Sequence, residues 1–193
     1  MKKLLVLAGP SAVGKTTVMK RLIDMHGEFE LVRSATTREP RGDGHDSEYI
    51  YLSAEDFRLR IEEGQMLEFT EYGGNLYGTP LSETERIFAE GRIPLLILDI
   101  NGVLSLKSIT EKFKTVAVYI TAEMDILDAR LEARATLSGN SEAALRTLEK
   151  RKAQNRRDLT AFSQVSDRFD AVVKNESLDL CANQIYKIFS KST

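Results

Sequence analysis

The feature that most constrains the fold is a loop at residues 9–17 that joins an apolar run to a helical segment. It matches the pattern G-x-x-x-x-G-K-[ST] and consists of Gly9, Pro10, Ser11, Ala12, Val13, Gly14, Lys15, Thr16 and Thr17. Residues 4–8 predict a short buried strand, and residues 18–23 predict a helix. Glycines let backbone N–H groups turn towards an anion, and the following helix presents its positive end to it. The pattern in this context is typical of a phosphate-binding loop.

The last residues of this phosphate loop have predicted roles. Lys15 is expected to reach the outer phosphates of a nucleotide, and the Thr16 hydroxyl to ligate Mg²⁺. A turn that only joins strand to helix is the alternative, and the complete match argues against it. The loop does not by itself distinguish a kinase from a GTPase or a motor.

Composition narrows the class of protein. A chain of 193 residues suits one domain, or one core with insertions. Its net charge of −2 provides no overall positive field for nucleic acid. The single cysteine, Cys181, excludes an internal disulfide framework and fits a reducing cytosol. No stretch approaches the roughly 20 apolar residues of a membrane span, and the first apolar run is too short for a signal peptide. We therefore expect a soluble, cytoplasmic protein.

Strands and helices alternate along the rest of the chain, which predicts an α/β fold with a mostly parallel sheet flanked by helices. The nearly unbroken apolar run at 93–100 predicts a strand buried on both faces. The predicted elements that follow are a helix at 103–113, a strand at 115–120, helices at 123–134 and 142–158, a strand at 169–173 and a helix at 178–189.

Residues 34–78 have a different character, with glycine-rich, polar and aromatic segments between short strands. Ser53 is a predicted helix N-cap, and Thr79-Pro80 a second helix start with the threonine hydroxyl as its cap. We expect 34–78 to form an inserted α+β lobe on a core made of 1–33 and 79–193.

A second phosphate site is predicted within this lobe. Arg38 and Arg41 lie three residues apart in a loop that Pro40 stiffens. Paired guanidinium groups suit a phosphate dianion, and the hydroxyls of Tyr49 and Tyr77 would complete the site. The alternative is that both arginines are ordinary surface charges.

These motifs together resemble the guanylate kinases over nearly the whole chain. The matching segments, in order, are 9–16, Ser34 to Arg41, Glu48-Tyr49, Leu67-Glu68-Phe69, 74–79, Leu98-Asp99-Ile100 and Val173-Lys174-Asn175-Glu176. The resemblance implies a P-loop NTPase core, a GMP-binding lobe and a helical lid at about 134–151. It also implies transfer of the γ-phosphoryl group of ATP to GMP, with Mg²⁺, giving ADP and GDP.

The resemblance also implies which residues bind each nucleotide. Glu68 would read guanine, because the N1–H and N2–H₂ groups of the base are donors whereas adenine presents an acceptor at N1. The GMP-binding residues would be Ser34, Arg38, Arg41, Tyr49, Glu68, Tyr77 and Thr79. ATP would bind to residues 9–17 with Arg130 and Asn175.

The implied lid departs from the family pattern. Ala133 and Ala135 replace the glycines that flank the second lid arginine, Arg134. A later lid arginine is best matched by Arg151, with Arg146 as a competing choice. The residues expected around the transferred phosphoryl group are Lys15, Arg38, Arg134 and Arg151.

A further departure follows Asp99, where Asn101 stands in a shortened turn that usually carries a second acid. A P-loop kinase of the same fold acting on another phosphorylated acceptor therefore remains an alternative. A non-catalytic guanylate-kinase-like interaction module is another, and the intact loop argues against it. The expected partners are ATP and GMP, without nucleic acid or membrane, for a monomer or a homodimer.

Overall fold

The structure is a computed structural model that describes residues 2–40, 46–109, 113–137, 139 and 142–192. Its strands are β1 (Lys3–Ala8), β2 (Phe29–Leu31), β3 (Ser34–Thr36), β4 (Tyr49–Tyr51), β5 (Met66–Tyr72), β6 (Asn75–Pro80), β7 (Ile93–Ile97), β8 (Lys114–Thr121) and β9 (Ala171–Lys174). Its α-helices are α1 (Lys15–Met25), α2 (Ala54–Glu62), α3 (Leu81–Ala89), α4 (Ile100–Ile109), α5 (Met124–Leu137), α6 (Glu142–Val165) and α7 (Leu178–Lys191). None of these helices is both long and apolar enough to cross a bilayer.

The larger sheet has the strand order β2-β7-β1-β8-β9. Strand β2 pairs in parallel with β7, and β8 pairs in parallel with β9. The apolar run in β1 is completely buried from Leu4 to Ala8, as expected of a strand covered on both faces. The predicted α/β fold with a mostly parallel sheet is therefore confirmed.

The smaller sheet, called the lobe sheet below, has the strand order β4-β3-β6-β5. Strands β3 and β4 are parallel, whereas β6 is antiparallel to both β3 and β5. Helix α2 enters this region with Ser53 as its N-cap, since the Ser53 side chain accepts the Asp56 N–H at 3.0 Å. The predicted Ser53 cap is confirmed.

The chain divides into two compact units, which are described separately. The first comprises Met1–Val6 and Ile23–Val116, and it contains the lobe sheet with α2, α3 and α4. The second comprises Leu7–Leu22 and Ala117–Thr193, and it contains the phosphate loop with α5, α6, α7 and β9. The boundaries expected for an inserted lobe at 34–78 and a lid at 134–151 remain predictions.

Helix α4 begins earlier than predicted. The strand expected to run from 93 to 100 ends at Ile97, and the helix expected at 103–113 begins at Ile100. The physical reason is a cap: Asp99 Oδ1 accepts the Gly102 N–H at 2.7 Å, and the Asp99 carbonyl accepts the Val103 N–H at 3.1 Å. An aspartate in this position satisfies N–H groups that the first helical turn leaves without partners.

Two other predicted helix boundaries are wrong. Thr79 and Pro80 lie in β6, α3 begins at Leu81, and no side chain among the described residues caps its N-terminus with a hydrogen bond. Helix α6 continues past the predicted end at Asp158 to Val165. Its extra turns bury aromatic surface, because Phe162 stacks on Tyr119 of β8 with ring centroids 3.6 Å apart.

Candidate active site

The phosphate loop has an unusual backbone between β1 and α1. Gly9 and Gly14 have φ angles of +150° and +99°, which suit glycine. A Cβ atom on Gly9 would collide with the Ile120 carbonyl oxygen, and one on Gly14 would lie 2.7 Å from Asn175 Nδ2. Ala12 has a φ of +64°, a conformation that costs a non-glycine residue roughly 1–2 kcal/mol. Contacts from elsewhere in the second unit must therefore hold the loop.

Lys15 lies against its own loop. Its Nζ atom donates to the carbonyl oxygens of Gly9 at 2.7 Å and Pro10 at 3.0 Å. Lys15, Thr16 and Thr17 form the first turn of α1, where backbone N–H groups lack intrahelical acceptors and attract anions. The loop therefore combines a positive side chain with a helix N-terminus, which suits the phosphates of a nucleotide.

Three side chains of the second unit support the loop from outside. Arg130 of α5 donates to the Val13 carbonyl at 3.2 Å, and Asn175 Nδ2 donates to the same oxygen at 2.8 Å. Asn155 of α6 exchanges two hydrogen bonds with the backbone of Ser11. The structure thus places Arg130 and Asn175, both predicted as ATP ligands, against the loop backbone.

Asn155 was not predicted as a site residue from the sequence. It lies within a strongly charged helical segment, but it is completely buried. The local signal was weak, because Gln154 and Asn155 are both uncharged amides among lysines and arginines and helix periodicity does not distinguish a site residue there. Its partner Ser11 is 144 residues away in the chain.

Arg134 and Arg151 line the same cleft, which has a volume of about 280 Å³ and lies between α5 and α6. Its other lining residues are Leu131, Ala135, Ala143, Ala144, Thr147 and Leu148. Arg146, the competing choice, instead pairs with Glu142 one turn earlier, and both side chains are largely exposed. The structure thus brings together Arg134 and Arg151.

Strand register in the first unit places the predicted acceptor residues on one face of the lobe sheet. Ser34 pairs with Tyr49, Thr36 pairs with both Tyr51 and Tyr77, and Thr79 pairs with Glu68. Paired residues share a face, as do residues two apart in a strand. Ser34, Tyr49, Glu68, Tyr77 and Thr79 therefore lie on the same side.

Arg38 is held among aromatic rings beside this face. Its guanidinium carbon lies 5.2 Å from the Tyr49 ring centroid and 5.9 Å from that of Tyr51, within the range of a cation–π interaction. The Tyr51 hydroxyl donates to Asp46 Oδ1 at 2.6 Å. Burial and this hydrogen bond raise the pKa of Tyr51. Tyr51 and Asp46 were missed from the sequence, although Tyr51 lies two residues after Tyr49 and so shares its face.

Arg41, the second predicted phosphate-binding arginine, lies outside the described residues. Tyr49 and Tyr77, the two predicted phosphate-binding tyrosines, make an edge contact, with ring centroids 6.5 Å apart. The structure thus groups Arg38 with Tyr49 and Tyr49 with Tyr77.

Glu68 is a buried acid on this face, with a residue exposure of 2%. Its Oε1 atom accepts the Thr79 hydroxyl at 2.7 Å, so Thr79 orients the carboxyl group instead of capping α3. Burial raises the pKa of Glu68 to about 7, and the negative charge of Asp99 contributes in the same direction. Near neutral pH this carboxyl group can therefore exchange a proton.

Gly102, in the first turn of α4 after Asp99, leaves room for the Glu68 side chain. A Cβ atom on Gly102 would lie 3.2 Å from Glu68 Oε2 and 3.3 Å from Asp99 Oδ1. Both distances are tighter than ordinary contacts, so a side chain here would displace one carboxylate or the other. Asn101 is exposed in the first turn of α4.

The donor atoms of the phosphate loop suit Mg²⁺ bound together with a nucleotide. Thr16 offers one hydroxyl oxygen, and the described residues contain no group of three or more His, Cys, Asp and Glu side chains that could hold a metal ion. Mg²⁺ commonly keeps several waters and binds through a few protein oxygens plus substrate phosphates. A single threonine hydroxyl fits that kind of coordination.

The family profile and the similar proteins all point to one family. The sequence profile of the guanylate kinase family matches residues 1–192. A guanylate kinase of Prochlorococcus marinus subsp. pastoris is 34% identical, with 97% of each chain covered. One from Synechococcus sp. strain CC9902 is 37% identical, covering 95% of this chain and 92% of its own.

A solved structure has the same fold. The crystal structure of guanylate kinase from Anaplasma phagocytophilum aligns with a TM-score of 0.72 at 22% identity, covering 98% of this chain and 85% of that one. At this level of identity the likeness bears on the fold alone. It supports the mostly parallel sheet with flanking helices.

Proposed function

Because the chain belongs to the guanylate kinase family, its activity is transfer of the γ-phosphoryl group of ATP to GMP, and we propose which of its residues perform it. The observation that carries the assignment is the face of the lobe sheet on which buried Glu68 and Thr79 lie with Tyr49 and Tyr77, beside Arg38. This face therefore has a carboxyl group that suits the donor groups of guanine and, beside it, a guanidinium group that suits the phosphate of GMP.

The acceptor residues match the two ends of GMP. Ionised Glu68 accepts hydrogen bonds from N1–H and N2–H₂ of guanine, with Thr79 holding the carboxylate and Ser34 adding a hydroxyl contact. Arg38 and Arg41, with Tyr49 and Tyr77, bind the phosphate. A site of buried hydrogen-bonding groups can reject an unsuitable base by roughly 10⁴- to 10⁵-fold, since the wrong base leaves those groups unpaired.

The donor residues match ATP. Residues 9–17 would surround the phosphates, Lys15 would leave the Gly9 and Pro10 carbonyls to contact the outer phosphates, and the Thr16 hydroxyl would hold Mg²⁺. Bound Mg²⁺ would neutralise charge on the phosphates. Arg130 and Asn175 contribute by holding the loop, as their hydrogen bonds to the Val13 carbonyl support.

The chemistry needs no nucleophilic side chain. A phosphate oxygen of GMP forms a bond to the γ-phosphorus as the bond from that phosphorus to the bridging oxygen of ADP breaks. Positioning and charge neutralisation account for most of the rate of such a transfer. We assign the neutralising roles to Lys15, Arg38, Arg134 and Arg151.

The test is an ADP-release assay with ATP, Mg²⁺ and each common nucleoside monophosphate, plus a ribose bisphosphate. We expect rapid release with GMP and formation of GDP. Phosphorylation of another acceptor without GDP formation would favour the related kinase. Absence of ADP release with every acceptor would favour the interaction module. We further propose that the protein acts in the cytoplasm as a monomer or homodimer, without nucleic acid.

The lid arginines allow a matched comparison. Arg151→Ala should lower kcat about a hundredfold, because it removes a cation from the cleft that also contains Arg134. Arg146→Ala should change kcat by less than about twofold, since an exposed pair with Glu142 contributes little. Steady-state kinetics with GMP check both variants. A larger loss in Arg146→Ala than in Arg151→Ala would reverse the assignment.

A further inference from the structure

Asn155 makes a paired contact with the phosphate loop. Its Oδ1 atom accepts the Ser11 N–H at 2.7 Å, and its Nδ2 group donates to the Ser11 carbonyl at 3.1 Å. The residue is completely buried on a helix whose other described residues are partly or fully exposed. A buried amide with both functions satisfied fixes the position of the residue that it contacts, here through the two peptide units on either side of Ser11.

The loop needs such a contact at this position. Ala12, the next residue, is held at a φ of +64°, and Arg130 and Asn175 bind the carbonyls that follow Ser11. Asn155 holds the preceding part of the loop. Because the Ser11 N–H is hydrogen-bonded to Asn155 on α6, a phosphate would bind N–H groups later in the chain, which include those of the first turn of α1.

The same helix, α6, also lines the cleft that contains Arg134 and Arg151. Arg151 lies four residues before Asn155 on α6, so the two side chains share a helix face. Arg151 lines the cleft with Arg134. In the intervening turn, Lys152 pairs with Glu132 of α5 at 2.6 Å. One turn of α6 thus contains both Asn155, which contacts the phosphate loop, and Arg151, which lines the cleft together with Arg134.

We infer that Asn155 is a positioning residue. It holds the backbone of the phosphate loop in the conformation that binds ATP, and it fixes the position of Arg151 relative to that loop. This inference rests on the proposed ATP-binding role of residues 9–17. Asn155 acts through Ser11 and does not itself contact the nucleotide. Replacing Asn155 should weaken ATP binding and slow phosphoryl transfer. It should leave the affinity for GMP unchanged, because the proposed GMP ligands belong to the first unit.

The experiment compares Asn155→Ala and Asn155→Leu with the wild type. Leucine has the same number of side-chain heavy atoms as asparagine and the same branching at Cγ, but it cannot make either hydrogen bond. Asn183→Ala is the control, because Asn183 is a helical asparagine whose Nδ2 group donates to the Asp179 carbonyl of its own helix, α7. Calorimetry would measure Kd for Mg²⁺–ATP and, separately, for GMP, and kinetics would give kcat.

We expect both Asn155 variants to bind ATP about tenfold more weakly, with reduced kcat and unchanged Kd for GMP. Asn183→Ala should match the wild type. Unchanged ATP affinity in Asn155→Leu would overturn the inference, as would equal weakening of ATP and GMP. If alanine prevents folding, leucine provides the same comparison. A wild type that binds no ATP would overturn the proposed function as well, whereas a wild type that binds ATP as tightly as both variants would overturn only the role of Asn155.

Discussion

Lys15→Ala is expected to lower kcat/KM for ATP by about a thousandfold. The ammonium group bonds to two loop carbonyls at 2.7 and 3.0 Å, so it lies where phosphate oxygens would replace those carbonyls as its partners. Removing it leaves the negative charge of the outer phosphates uncompensated. Kinetics at several ATP concentrations and calorimetry with Mg²⁺–ATP would measure the loss.

Two further variants make this result specific. Lys20→Ala removes an exposed cation from the same helix and should leave kcat/KM nearly unchanged. Lys15→Arg keeps the charge but should not restore activity, because a planar guanidinium cannot replace a compact ammonium inside a tight loop. Full activity in Lys15→Ala would refute the assigned role of the loop lysine.

The phosphate loop could be predicted because its signal is local. Nine consecutive residues between an apolar run and a helix contain the glycines, the lysine and the hydroxyl that the chemistry needs. The side chains that hold the loop are not local. Asn155 and Asn175 reach it from 144 and 162 residues away, and a single sequence does not show which buried amide meets which peptide.

The lobe sheet was predictable in part. Alternation along strands places Tyr51 on the face of Tyr49, and the same rule applied to both residues could have added Tyr51 to the proposed site. The partner of Thr79 could not be deduced in this way. Its hydroxyl could cap a helix or bind an acid, and only the pairing of β5 with β6, which brings Glu68 opposite Thr79, decides between them.

Glu68→Gln is expected to lower kcat/KM for GMP by about 10³- to 10⁴-fold, with Kd for ATP unchanged. Glutamine can still accept the Thr79 hydroxyl, but its NH₂ group would face the N1–H and N2–H₂ donors of guanine. Acceptor kinetics and ATP calorimetry on the same preparation separate the two effects. Equal losses for GMP and ATP would contradict a role in reading the base.

The same substitution should stabilise the protein without ligand above pH 7. The pKa of Glu68 is raised from 4.5 to about 7, so between these values the folded state binds more protons than the unfolded state. Stability therefore falls as pH rises through this window. At about 1.4 kcal/mol per pH unit, this shift of about 2.5 units corresponds to a loss of somewhat more than about 3 kcal/mol above pH 7. Glutamine does not titrate and should avoid this loss.

Urea unfolding at pH 5 and pH 8 would measure the effect. The advantage of Glu68→Gln over the wild type in the free energy of unfolding should be small at pH 5 and larger at pH 8. Glu71→Gln, on the same strand but exposed, is the matched control and should change the free energy of unfolding little, as surface substitutions usually do. If Glu68→Gln loses GMP binding but gains stability, the buried carboxylate is kept for recognition although it lowers the stability of the fold. If the variant loses both GMP binding and stability at pH 8, ionised Glu68 instead supports the folded state, contrary to its raised pKa.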